Sequence, residues 1–181
     1  CFGSLAQRQA QARNTIYRFL KAARSAVRLF DVNLRQDYYS RRALTESCEF
    51  ATAVKLNCEE LDALADMFEL GAEPDDAAEK MRRQFTLDWV ALTRGDAGTA
   101  VYTAEGKHEA APVRANTTEG DAVGAGDATA AALVHGVLKR WDWPRTLKLA
   151  NELGAYMASK PGACPPLDEW IKALASGKEP A

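Results

Sequence analysis

The sequence predicts an α/β fold whose sheet is mostly parallel, is covered by helices on both faces, and has an antiparallel edge. Two observations support this prediction. Short apolar runs typical of buried strands alternate with longer stretches of helical periodicity, which is the pattern of parallel α/β domains. Two of the runs are separated by only five residues, "RGDAG", and so short a connection indicates an antiparallel hairpin.

Length and composition limit the classes of protein to which the chain can belong. Its 181 residues, of which 47% are hydrophobic, suit one globular domain, and we expect residues 1–181 to form a single α/β domain. With 23 basic and 25 acidic side chains the net charge is -2, so no basic excess points to nucleic acid or to an anionic membrane. No apolar run approaches the ~20 residues of a membrane span, and no signal-peptide pattern opens the chain. We therefore expect a cytoplasmic protein.

The first half of the chain contains two strand patterns and three helix patterns. Ile16, Leu20 and Ala23 recur at steps of three and four residues, which predicts a helix with one buried face. Pro74 and the acidic residues after it are typical of a helix start. In order, the predicted elements are a helix from Leu5 to about Ala26, strands at Val27–Asn33 and Thr52–Asn57, and helices at Cys58–Leu70 and Glu73–Phe85.

The second half predicts a hairpin followed by three helices. The strands of the hairpin are Leu87–Thr93 and Thr99–Gly106. An apolar stripe predicts that the next helix begins close to Gly124, and its members are Leu133, Val134, Val137, Leu138 and Trp141. The three helices are predicted at Ala125–Lys139, Pro144–Lys160 and Pro166–Ser176.

The stretch "GDAVGAGDATAAAL" places glycines and aspartates directly before that helix. The free N–H groups of a helix start and the helix dipole form a site for an anion such as phosphate. The alternative is structural: the glycines permit a tight turn, and Asp127 favours the positive helix end. Neither of two common phosphate loops fits, because GxxxxGK[ST] is absent and Thr129 stands where the dinucleotide fingerprint needs a small residue.

Three further motifs each allow a structural and a functional interpretation. In "KLNCEEL", Asn57 and Glu60 either form a capping box or present an amide and a carboxylate at the end of a strand, where ligands bind. In "LTRGDAG", the glycines either serve only the turn or let backbone approach a nucleotide. In "FDVNLRQ", the polar residues are either a solvated charge cluster or a rim that binds hydroxyl and phosphate groups.

Taken together and in this order, the motifs resemble the C-terminal part of the PfkB (ribokinase-like) carbohydrate kinases, in particular fructokinase-like members. "DAVGAGDAT" resembles the family's D-T-x-G-A-G-D, "KLNCEE" its N-x-x-E, "TRGDAG" its T-x-G-x-x-G and "FDVNLRQ" its D-x-N-x-R. The resemblance covers essentially the whole chain. It implies a three-layer α/β/α ribokinase-like fold, and it implies that ATP, with Mg²⁺, phosphorylates a hydroxyl group of a sugar.

The resemblance also implies a role for each matching residue. Asp127 would take the proton of the sugar hydroxyl, while the amides after Gly124 would hold the charge on the transferring phosphoryl group. These amides belong to Ala125, Gly126 and Asp127. Asn57 and Glu60 would organise Mg²⁺ and its waters, and Asp121 would lie on the metal side. Thr93, Gly95 and Gly98 would line the nucleotide, with Asn151 near the adenine. Asn33 and Arg35 would contact the substrate.

The sequence departs from the family pattern at four points, one of which is Thr129 in place of a common aromatic residue. Ala122 stands where threonine is usual, beside a monovalent-cation site that some members build, and Arg94 stands where an apolar residue is usual. The chain also opens with "CFGSLA", without an initiator methionine, and the family's N-terminal part with its sugar-binding motif and β-sheet lid is missing. We therefore expect the C-terminal portion of a longer kinase, impaired in activity by itself and homodimeric in its full-length form. The competing hypothesis is a non-enzymatic nucleotide-binding module.

Overall fold

The computed structural model describes residues 1–116 and 120–177. Its described strands form one six-stranded sheet whose spatial order follows the chain order. They are β1 (Phe2–Gly3), β2 (Leu29–Asp31), β3 (Ala53–Asn57), β4 (Trp89–Thr93), β5 (Thr99–Thr103) and β6 (Gly106–Glu109). The first four strands are parallel to their neighbours, and the five-residue connection from β4 to β5 is too short for a parallel crossover. The predicted class, a mostly parallel sheet with an antiparallel edge, is confirmed.

Seven α-helices are found in the part of the chain that the structure describes. They are α1 (Ala10–Ala22), α2 (Arg41–Phe50), α3 (Cys58–Phe68), α4 (Pro74–Gln84), α5 (Ala125–Leu138), α6 (Trp143–Ala158) and α7 (Glu169–Ser176). None of these helices combines the length and the apolarity that a passage through a bilayer requires. The chain folds as two compact units: the first comprises Cys1–Thr93 and Val101–Lys107, the second Arg94–Ala100 and His108–Ala181.

The core of the first unit lies in the parallel strands. Phe30 of β2, Val54 and Leu56 of β3, and Val90 and Leu92 of β4 are all fully buried. Near-continuous apolar runs of this kind are expected when a parallel sheet is covered on both faces. The register pairs Ala53 with Trp89 and continues residue by residue to the end of both strands. The apolar patterns at these positions therefore predicted the central strands correctly.

The first predicted helix, from Leu5 to about Ala26, is wrong in its length. The structure has a short 3₁₀ turn at Leu5–Gln7, and α1 begins only at Ala10. The side-chain amide of Gln7 is buried. Its Nε2 donates to the Gly3 carbonyl at 3.0 Å and to Ser47 Oγ at 2.9 Å, which fixes the chain before the helix. At the other end, the Arg28 guanidinium donates to three carbonyls that follow α1 and to a carbonyl at the end of α2.

Strand β1, helix α2 and strand β6 were not among the predicted elements, and the strand at Thr99–Gly106 was predicted too long. Helix α2 begins with a Ser40 cap, whose hydroxyl accepts the Ala43 amide at 3.2 Å, and it buries only four of its ten residues. Strand β5 ends at Thr103, and a two-residue turn leads into β6. The mostly exposed, polar residues of β6 have no apolar alternation that would predict a strand.

Helix α5 begins where the sequence predicts, but its buried face coincides only in part with the predicted apolar stripe. Leu133 is fully buried, whereas Leu138 is 67% exposed and the small residues Ala128, Ala132 and Gly136 are buried instead. A Cβ on Gly136 would collide with Thr146 of α6, so small residues at this face let the two helices approach closely. Close packing at Gly136 therefore contributes, with the burial of Leu133, to the orientation of α5.

Candidate functional site

Polar residues end or follow three neighbouring parallel strands of the first unit. Asn57 is the last residue of β3 and pairs in register with Thr93, the last residue of β4, while Asn33 and Arg35 follow β2. Because parallel strands end at one edge of the sheet, the fold brings these four predicted residues to the same edge. Open α/β sheets bind their ligands at this edge.

Asn57 and Glu60 form a capping box at the start of α3. The Asn57 side chain accepts the Glu60 amide at 2.8 Å, and Glu60 Oε2 accepts the Asn57 amide at 2.9 Å. The structural interpretation of "NCEE" is therefore confirmed. The second carboxylate oxygen of Glu60 accepts the backbone amide of Leu34, in the loop after β2, at 3.0 Å.

These contacts limit how the edge can hold Mg²⁺. Each oxygen of the Glu60 carboxylate already accepts one backbone amide, which leaves one acceptor direction on each oxygen. Within residues 1–116 and 120–177, no three His, Cys, Asp or Glu side chains are grouped as a metal cage. This donor set fits an ion held mainly by water and phosphate oxygens, which is the usual manner of Mg²⁺ binding beside nucleotides.

The loop after β2 has an unusual conformation and is fixed from two sides. Asn33 has φ 42°, a left-handed conformation that is uncommon outside glycine but tolerated best by asparagine and aspartate. The hydroxyl of Ser4 lies 2.7 Å from the Val32 carbonyl oxygen and 2.9 Å from that of Asn33. The Arg35 side chain, two residues further on, is exposed.

One ion pair beneath this edge was missed from the sequence. Lys55 Nζ lies 2.9 Å from Asp31 Oδ1, and the two residues pair in register between β3 and β2. The Lys55 side chain is 7% exposed and that of Asp31 14%. A lysine inside the apolar run "AVKLN", two residues before Asn57, was the available signal, because a buried ammonium group needs a charged partner.

In the second unit, α5 begins without a side-chain cap. Its N-cap is Gly124, with φ 85°, and no side chain in the described part of the chain accepts its first amides. The Ala125 amide reaches the Ala122 carbonyl at 3.3 Å, whereas those of Gly126 and Asp127 have no backbone acceptor among the described residues. Gly126 and Asp127 are exposed. The start of α5 is therefore open to an anion.

The loop before α5 is shaped by close backbone contacts. Asp121 Oδ1 accepts the Val123 amide at 2.9 Å, and Oδ2 lies 3.5 Å from the Gly162 amide. A Cβ on Gly124 would collide with the Ala163 carbonyl, so both the positive φ and the space require glycine there. Asp121, predicted on the metal side, thus holds loop amides in this structure.

Asn151, predicted near the adenine, uses its buried side-chain amide on backbone groups of the second unit. Its Oδ1 accepts the Thr99 amide at 3.1 Å, and its Nδ2 donates to the Ala111 carbonyl at 3.1 Å. Gly98 has φ 77°, and a Cβ there would stand 3.1 Å from Asn151 Nδ2. Asn151 therefore shapes the end of the glycine segment, in which Gly95 also has a positive φ of 56°.

Arg94, where the family pattern has an apolar residue, forms a salt bridge inside the second unit. Its Nη1 lies 2.7 Å from Glu109 Oε1, and its Nη2 donates to the Ala97 carbonyl at 3.2 Å. The guanidinium therefore links the glycine segment to β6. A charged residue at this position is compatible with the turn because an acidic partner stands on the neighbouring strand.

Comparison with known proteins finds one matching family and several similar solved structures. The model of the pfkB family of carbohydrate kinases matches residues 8–170. Among curated proteins, no sequence matches the chain. Fructokinase from Xylella fastidiosa with bound ATP is similar in structure, with a TM-score of 0.79 and 22% identity over 97% of this chain and 60% of that one.

Two further solved structures are similar to the chain over most of its length. Aminoimidazole riboside kinase from Salmonella enterica, complexed with aminoimidazole riboside and an ATP analogue, gives a TM-score of 0.78 at 23% identity, over 96% of this chain and 61% of that one. For 2-dehydro-3-deoxygluconokinase from Thermotoga maritima the TM-score is 0.78 at 21% identity, over 92% and 56%. The chain therefore spans about three fifths of the length of the structures that it matches. At this level of identity the likeness shows the fold.

Proposed function

Because the chain belongs to the pfkB family of carbohydrate kinases, we propose that it supplies the phosphoryl-transfer residues of a kinase that uses ATP to phosphorylate a hydroxyl group of a sugar. The observation that supports the proposal most directly is the start of α5. Exposed amides without acceptors among the described residues stand there beside an exposed carboxylate, Asp127. This is the combination that transfer of an anionic group to a hydroxyl requires.

In the proposed reaction, the oxygen of the sugar hydroxyl bonds to the terminal phosphorus of ATP, and Asp127 accepts the proton of that hydroxyl. The bond from that phosphorus to the bridging oxygen breaks, and ADP leaves. The amides of Gly126 and Asp127, with that of Ala125, donate to the oxygens of the transferring group. A loose transition state depends chiefly on positioning and charge stabilisation, so proton transfer to Asp127 makes a smaller contribution to the rate than these do.

The polar edge of the first unit supplies the other proposed roles. Asn57 and Glu60 orient water around Mg²⁺, which when bound neutralises charge on the phosphates. Asn33 and Arg35 contact the substrate, and Arg35 suits an anionic or hydroxyl-rich ligand because its guanidinium is exposed. Thr93, at the end of β4, contacts the nucleotide.

Residues of the second unit have further proposed roles toward the nucleotide. Gly95 and Gly98 permit backbone to approach the nucleotide, and Asn151 maintains that segment through its bonds to Thr99 and Ala111. Asp121 orders the loop before α5 and so acts on the metal side indirectly. Among sugars, we propose a fructokinase-like acceptor, which the "FDVNLRQ" motif favours.

Turnover with a panel of acceptors tests the proposal. The longest form of the protein is purified and incubated with Mg·ATP and fructose, ribose or 2-keto-3-deoxygluconate, and ADP release is measured beside nucleotide binding by calorimetry. We expect binding of ATP and ADP release with one of the sugars. ATP binding without turnover on any sugar would favour a nucleotide-binding module, and absence of both would reject the proposed function.

A further inference from the structure

The Glu60 carboxylate joins two loops that follow different strands. One oxygen accepts the amide of Asn57, at the end of β3, and the other accepts the amide of Leu34, three residues after β2. Glu60 is only 8% exposed, so the two bonds form largely away from water. Bonds from amides to an ionised carboxylate are stronger than those to a neutral acceptor, and burial strengthens them further.

The geometry requires both oxygens of a glutamate. Glutamine offers one acceptor oxygen, and its NH₂ group would face a backbone N–H, so one donor would lose its partner. Aspartate is one methylene shorter. A side chain of that length, anchored in α3, can close the cap but cannot also reach the amide of Leu34. An amide buried without an acceptor is costly, so the loop after β2 would shift to find water.

The loop held in this way contains a backbone conformation that needs support. Asn33 has φ 42°, and left-handed residues other than glycine persist where their surroundings hold them. Ser4 holds the carbonyls of Val32 and Asn33, and the Val32 amide donates to the Lys55 carbonyl at 3.0 Å. The Leu34 amide, with its bond to Glu60, completes this set of anchors directly before Arg35.

We propose that Glu60 is a positioning residue that fixes the loop at residues 32–35 against the start of α3, and that it acts on the substrate through Asn33 and Arg35. This role is separate from any order that Glu60 imposes on water around Mg²⁺. Its consequence for substrate binding rests on the proposed function, whereas the fixing of the loop does not. The loss of Glu60 should therefore weaken binding of the sugar more than binding of the nucleotide.

Amide hydrogen exchange, measured by NMR on the unliganded chain, tests the fixing of the loop. The variant is Glu60→Gln, and the control is Glu59→Gln, which removes the same charge from the same first turn of α3 at an exposed position. We expect exchange at Leu34 and Asn57 to accelerate at least ~10-fold in Glu60→Gln and to stay unchanged in Glu59→Gln. Equal exchange at Leu34 in the two variants would overturn the proposal.

A second variant covers the case in which Glu60→Gln does not fold. Glu60→Asp keeps the carboxylate and the bond that closes the cap of α3 but is too short to reach the Leu34 amide as well, so exchange at Leu34 should accelerate while exchange at Asn57 should not. If Glu60→Asp left exchange at Leu34 unchanged, the bond from Glu60 would not fix the loop, and the proposal would fail.

Kinetics with Mg·ATP and the best acceptor sugar test the consequence. For Glu60→Gln we expect the KM of the sugar to rise ~10-fold or more and the KM of ATP to change less than threefold, with Glu59→Gln equal to the unmodified chain. A changed Mg²⁺ requirement with unchanged sugar KM would assign Glu60 to the metal and overturn the positioning role. Lack of turnover in the longest form of the protein would reject the proposed function, while the exchange result would still decide whether Glu60 fixes the loop.

Discussion

Helices α3 and α5 both begin beside residues that the family pattern marks, but their first turns differ in chemistry. At the start of α3, Asn57 and Glu60 satisfy each other's backbone amides. At the start of α5, the N-cap is a left-handed Gly124 without a side-chain cap, and the next amides are exposed. The first turn of α3 is closed by the protein's own groups, whereas the first turn of α5 is open. Two motifs of similar strength in the sequence therefore correspond to an anchor in one region and to an open helix start, the proposed reactive site, in the other.

The largest effect is expected at the open start. Replacing Asp127 with asparagine keeps the size of the side chain but removes the carboxylate, so turnover should fall by about 10²-fold or more while ATP still binds. Steady-state kinetics of the longest active form of the protein, beside calorimetric titration of ATP, provide the measurement. Near-normal turnover in the asparagine variant would remove Asp127 from the reaction.

The second effect tests whether the backbone at the open start requires glycine. Gly124→Ala places a methyl group against the Ala163 carbonyl at φ 85°, whereas Gly162→Ala has a similar φ of 83° and no atom within 4 Å. A left-handed alanine costs about 1–2 kcal/mol by itself, and the collision should add at least about 1 kcal/mol in Gly124→Ala. Urea denaturation measures the difference between the two variants.

The same pair of variants tests the anion site. Inorganic phosphate should raise the melting temperature of the unmodified chain and of Gly162→Ala, because it binds the folded state at the amides after Gly124. Gly124→Ala should lose this gain, since its amides are displaced. If phosphate stabilises both variants equally, the open helix start is not where the anion binds.

The sequence predicted the central strands well because Val54, Leu56, Val90 and Leu92 form apolar runs that only a buried parallel strand explains. It predicted the buried face of α5 only in part: Leu133 is fully buried, but the contact with α6 also depends on a small residue, Gly136, which no hydrophobicity pattern identifies. Close approach of the two helices adds there to the burial of large side chains.

At the candidate site, the sequence identified side chains but not the backbone groups that they hold. The motifs correctly located Asn57 and Glu60, and the box between them was predicted from their spacing. The bond from Leu34 to Glu60 was not predictable, because an amide that every residue type possesses leaves no trace in the sequence. Asn151 was missed as a backbone anchor for the same reason: its partners are the Thr99 amide and the Ala111 carbonyl.

The third effect concerns the closed start. Asn57→Ala removes the acceptor of the Glu60 amide, and loss of an N-cap costs about 1 kcal/mol of folding free energy. Ser40→Ala removes the comparable cap of α2 and is the matched control, with a similar loss of stability and no effect on turnover. Asn57→Ala should in addition raise the Mg²⁺ concentration needed for half-maximal rate. If its Mg²⁺ requirement equals that of Ser40→Ala, Asn57 serves only as a cap.

The smallest effect separates stability from catalysis at the two helix starts. Asp127 and Glu59 are exposed acids in the first turns of α5 and α3, where each interacts favourably with the helix dipole. Removal of either charge, in Asp127→Asn or Glu59→Gln, should therefore cost only about 0.3–1 kcal/mol of unfolding free energy at low ionic strength, and less in added salt. Urea denaturation at two salt concentrations gives both values.

Phosphate should stabilise Asp127→Asn more than the unmodified chain, because the carboxylate no longer repels the anion. It should stabilise Glu59→Gln and the unmodified chain equally. If phosphate stabilised Asp127→Asn less than the unmodified chain, Asp127 would assist anion binding. The proposal that Asp127 is a base separate from an open anion site at the start of α5 would then be wrong.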